Sequence, residues 1–163
     1  MSREEDTYRH FRVHFPRSND PTLLILRGHL LLEQQMTLLI EEFVADKAAL
    51  EEARLSFAQK HALARALVGG SIQHSPWRVV RELNRVRNLF AHELSLADAE
   101  RRIDEWLRIC FGEDFVRPPS KTKRAGLVRR AFAFTCGELV GFRRGFAVAR
   151  KAKENSFRFE VRQ

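Results

Sequence analysis

The chain has 163 residues, 44% hydrophobic and 31% charged, the balance of one globular domain that buries a core without metal or disulfide staples. Its formal net charge of +8 is uneven: residues 117–163 hold 13 Lys and Arg against 3 Asp and Glu (+10), and residues 1–116 hold 16 against 18 (−2). Two cysteines without CxxC spacing, Cys110 and Cys136, exclude a disulfide framework or zinc ribbon and fit free thiols in a reducing compartment.

Residues 1–19 are polar and irregular and read as a loose arm, and the charged start lacks the apolar core of a signal peptide. Asp20-Pro21 is an N-cap followed by proline at the first helical position. It opens a helix over 22–46, with Leu23, Leu26, Leu30, Met36, Leu39, Ile40 and Phe43 at helical spacing. A second helix is expected over 48–68, stopped by Gly69-Gly70. Ser75-Pro76 starts a third, over 77–94, and Ser95-Leu96-Ala97-Asp98 resembles a capping box opening a fourth, which runs to Phe111 and closes at Gly112.

Arg117-Pro118-Pro119-Ser120 is a stiff break before a long basic helix over 123–153. That helix carries a small residue every four positions: Ala133, Gly137, Gly141, Gly145, Ala149. Each glycine weakens a helix by about 1 kcal/mol relative to Ala, a cost that close helix packing would offset, within the bundle or across a two-fold. The tail over 156–163 alternates like a strand without an evident partner. Charged residues break the apolar runs short of a membrane span, so a cytoplasmic protein with no membrane contact is expected. The fold class is all-α: an antiparallel bundle of about five helices in one domain over 20–155.

The run Leu83-Asn84-Arg85-Val86-Arg87-Asn88-Leu89-Phe90-Ala91-His92 contains the only unlike functional groups that helical geometry seats together. Its Arg-x4-His spacing alone says little. With 23 Arg and 6 His, about one such match arises by chance, and Arg9–His14 is a second copy, in the polar arm. At 100° per residue, Val79, Val86, Phe90 and Leu94 fall within about 60° of Leu83 and form a buried stripe. Arg87, Ala91, Asn84, Asn88 and His92 follow at about 40°, 80°, 100°, 140° and 180° along one flank. Arg87 offers donors matched to phosphate oxygens, His92 titrates near neutrality, and Asn84 and Asn88 can orient either. A histidine complementing the helix C-terminus is the plainer alternative.

The motif Leu-Asn-x-x-Arg-Asn-x-x-Ala-His resembles the signature helix of the HEPN superfamily. That resemblance implies a dimeric helical bundle with a composite cleft that cuts RNA without a metal or cofactor. Arg87 would clamp phosphate, His92 would act as acid and base, and Asn88 and Asn84 would support them. It also implies a toxin or defence context, with an antitoxin or other partner protein. One departure is Leu94, where the toxin branch paired with nucleotidyltransferases commonly has Tyr. Many superfamily members are instead non-catalytic regulators or adaptors.

Four further arginines, Arg129, Arg130, Arg143 and Arg144, are candidate RNA-phosphate contacts on the C-terminal helix, a solvated helix surface being the alternative. His29 and Glu33 stand one turn apart and suggest a pair near the cleft, a surface ion pair or a satisfied core histidine. His10 and His14 have metal-like spacing but no positioned third ligand, so no metal site is expected.

Overall fold

The computed structural model describes residues 15–69, 76–90 and 95–160, apart from the side chains at 96 and 150–160, and every regular element among them is helical. The first helix, α1 (Pro21–Ile40), starts as the sequence predicts: the Asp20 carboxylate accepts from the Thr22 N–H at 3.0 Å. Pro21 occupies a position whose N–H has no helical partner to lose. It ends at Ile40 rather than at 46, because Asp46 caps a separate short helix, α2 (Lys47–Glu52), accepting from the N–H groups of Ala48 and Ala49.

The helix expected over 48–68 is thus two helices, parted at Ala53–Ser56, where Arg54 has a left-handed φ of 45°. The second, α3 (Phe57–Val68), opens on a reciprocal capping box: the Ser56 N–H donates to Gln59 Oε1 at 2.9 Å and the Gln59 N–H to Ser56 Oγ at 3.4 Å. Gly69 closes it at φ 81°, a conformation that costs glycine little.

Next come α4 (Trp77–Leu89), α5 (Leu96–Phe111) with a 3-10 turn over Gly112–Asp114, and α6 (Lys121–Glu160). Ser95 caps α5 as predicted, but Asp98 takes the Ser95 hydroxyl hydrogen at 2.7 Å, and that bond holds its carboxyl below the usual range. Helix α6 outruns the expected 123–153 at both ends and takes in Phe157–Glu160, which alternation had suggested for a strand. Of the tail, 161–163 lie outside the described residues.

Helix α1 is the axis of the core. Leu24, Ile25, Leu32, Met36, Leu39 and Ile40 are fully buried with Trp77, Trp106 and Phe132. By length and composition it could cross a membrane, contrary to the expectation of broken apolar runs, with mean hydropathy 1.2 over an 18-residue window. Burial inside the bundle of 56% of that window accounts for the apolar composition.

The expected antiparallel arrangement is not uniform. Asp20 meets Lys121 at 3.9 Å, Gly28 lies under the Phe132 ring, and Phe43 packs on Phe146 at 4.8 Å. This nearly constant offset means that α1 and α6 run parallel. Helices α1 and α3 are also parallel, since His29 stacks on Phe57 and Glu33 pairs with Lys60. The cause is the segment over 41–56, which carries the chain back along α1 before α3 begins. Buried Arg124 locks α5 to α6 through Asp104, at 2.7 and 3.1 Å.

Candidate functional site

Helix α4 bears the motif, and its two ends differ. Of the predicted stripe, Val79, Leu83 and Val86 are buried and Phe90 is half-buried, and Trp77 and Val80 join the buried face. At the N-terminal end, Trp77 stacks on Phe142 with centroids 5.8 Å apart. His61 Nε2 donates to the Trp77 carbonyl at 2.9 Å, and the Trp106 indole donates to the Val79 carbonyl at 3.1 Å. These bonds fix the helix on which the polar flank is carried.

Toward the C-terminal end, half-buried Asn84 turns to α1, where its Oδ1 accepts from His29 Nε2 at 3.1 Å. His29 itself is buried and stacks on Phe57, with centroids 3.9 Å apart and planes at 20°. Burial pushes its pKa below the ordinary 6.5 and the Arg87 charge adds to that, against the Asn84 bond and Glu33. His29 is therefore a neutral core histidine that positions Asn84. The expected pairing with Glu33 is not made; Glu33 binds Lys60 at 2.8 Å.

Arg87 and Asn88 are exposed, and the Arg87 guanidinium donates to Asn88 Oδ1 at 3.1 Å. Elsewhere on the helix, Arg81 and Arg85 both bind Glu82, each at 2.9 Å. Among the described residues Arg87 has no carboxylate partner within ion-pair distance. It is thus a cation held in place by a neutral amide and open to an anion. Ala91, His92 and Leu94 lie outside the described residues, as do Ser75 and the segment Arg9–His14.

The four arginines of α6 are not gathered into one patch. Arg129 donates to the Ser18 carbonyl and to Asn19 Oδ1, tying down the chain before α1. Arg130 lies over the Phe111 ring at 5.5 Å. Arg143 and Arg144, both half-buried, follow some 20 Å further along the helix. No group of three or more metal-ligating side chains occurs among the described residues. Cys110 and Cys136 are free thiols, as expected, and burial raises both pKa values, that of Cys136 to about 12, so neither is a ready nucleophile.

The bond from His29 to Asn84 spans 55 residues. Its trace in the sequence was a histidine beside Gly28 on a helix rich in leucine. No family model, curated protein or solved structure matches the chain.

Proposed function

We propose that the chain is a metal-independent RNA endonuclease of HEPN type, acting in the cytoplasm as a homodimer whose cleft combines Arg87, Asn88 and His92 of both copies, in a toxin or defence setting. Arg87 carries this reading: an exposed guanidinium beside Asn88, without a carboxylate partner among the described residues, on a helix whose Arg81 and Arg85 share the Glu82 carboxylate. Neutral His92 of one copy takes the proton of a ribose 2′-hydroxyl, which attacks the adjacent phosphorus. Arg87 holds the phosphate oxygens as charge builds on them. The second His92 protonates the departing 5′-oxygen, leaving a 2′,3′-cyclic phosphate and a 5′-hydroxyl.

The test is incubation of wild type and His92→Ala with RNA in EDTA. Wild type cleaves, and the variant loses about 10²- to 10⁴-fold, the usual worth of a general acid–base. No cleavage by either protein over varied RNAs would sink the proposal.

A second reading, a non-catalytic dimeric regulator or adaptor, is favoured by Leu23, Leu26 and Leu30. They stand exposed along the outer face of α1, Leu30 at 56%, where a partner protein could pack. A helical bundle that leaves all RNAs intact in the same assay fits that reading.

A further inference from the structure

Residues of α1, α2 and α3 line a cleft of about 550 Å³, a size that holds a small organic molecule. Its apolar lining is aliphatic throughout: Ile40, Ala48, Leu50 and Leu55. Most of its polar groups are engaged. The Thr37 hydroxyl donates to the Glu33 carbonyl at 3.0 Å, Lys47 pairs with Glu41 at 3.2 Å, and Lys60 pairs with Glu33 at 2.8 Å. Arg54 lines the same cleft, and among the described residues its guanidinium makes no ion pair.

The backbone marks the same residue. Arg54 follows the end of α2 with φ 45°, whereas the other residues with positive φ among those described, Gly69 and Gly112, are glycines at helix ends. Glycine is the residue that this conformation suits, because it has no Cβ to clash with the backbone. Arginine keeps its side chain here at a conformational cost, and no ion pair within the described residues offsets that cost.

We infer that the cleft binds a small aliphatic carboxylate, with its chain on Ile40, Leu50 and Leu55 and its carboxylate on the Arg54 guanidinium. The planar fork of arginine matches two carboxylate oxygens. A single negative charge balances Arg54, while Glu41 and Glu51 in the lining oppose a doubly charged phosphate. No aromatic residue lines the cleft to stack on a ring. The inference does not rest on RNA cleavage. Thr37 lies eight residues beyond His29, about 12 Å along α1, so the cleft is separate from the contact between His29 and Asn84.

Calorimetric titration of the full chain with hexanoate, octanoate and decanoate tests this. Binding saturates at one molecule per chain, and affinity rises with length by up to about fourfold per methylene. Octanol, octylammonium and inorganic phosphate bind about tenfold more weakly than octanoate, or worse. Arg54→Gly separates binding from structure, because it acts on the two with opposite signs. It raises the melting temperature of the free chain, since glycine suits the backbone there, and weakens octanoate binding by about tenfold. The inference is overturned if none of the three acids binds saturably, or if octanol, octylammonium or phosphate binds as well as octanoate. An Arg54→Gly variant that binds octanoate like wild type overturns it too.

Discussion

The inner and outer faces of α6 are built from similar residues to opposite ends. Inside, the buried Phe132 ring occupies the space that a side chain on Gly28 would need, within 2.2 Å of where its Cβ would stand. Two residues on, Phe134 is 59% exposed, and Gly137, Gly141 and Gly145 face open space. A helix glycine costs the same intrinsic stability on either face, yet of these four glycines only Gly28 meets a side chain among the described residues. The contrast separates a glycine that the core requires from glycines that meet no side chain among the described residues.

The sharpest way to break this contrast is to truncate both phenylalanines. Phe132→Ala should lose about 3–5 kcal/mol, transfer and cavity terms together, whereas Phe134→Ala in the monomer should stay within about 0.5 kcal/mol of wild type. Urea unfolding at low protein concentration measures both, and equal losses would mean that the faces are not distinct. Next in size is Gly28→Ala. Overpacking against Phe132 should cost about 1–3 kcal/mol, and Phe132→Leu should recover part of it in the double variant. Gly141→Ala should have the opposite sign, stabilising the monomeric chain by about 1 kcal/mol because its Cβ meets nothing. A loss there would show a contact within the chain.

The inner side is also the one that responds to acid. The pKa values of His29 and His61 are lowered from 6.5, first by burial, so the unfolded chain binds their protons more readily than the folded one. Their contribution is fully present above pH 6.5 and is lost as pH falls below it. Melting temperature should therefore drop on acidification from pH 6.5, and more shallowly in His29→Asn, which keeps a donor for Asn84. Superimposable pH profiles would remove His29 from this role.

Much of the fold was legible because its signals are local. Asp20-Pro21, Ser95 and Gly112 set helix ends where capping chemistry predicts, and the apolar stripe of α4 followed from periodicity alone. The break between α2 and α3 was missed although its signals were present: Asp46 as a cap and Ser56-x-x-Gln59 as a capping box. Continuous apolar periodicity over 50–67 outweighed them. Parallel α1 and α3 could not be read locally, since that arrangement depends on the segment over 41–56 returning the chain along α1. At the candidate site, the flank geometry put Arg87 and Asn88 on one side of the helix, where the Arg87 guanidinium donates to Asn88 Oδ1. It did not predict that Asn84 turns inward, because His29 comes from a different helix.

The proposed chemistry at the end of α4 is tested most directly by the ends of the RNA fragments made in EDTA. Wild type should leave 2′,3′-cyclic phosphate and 5′-hydroxyl ends, and both Arg87→Ala and His92→Ala should abolish them. Fragments with 5′-phosphate ends, or cyclic ends produced equally by all three proteins, would contradict it.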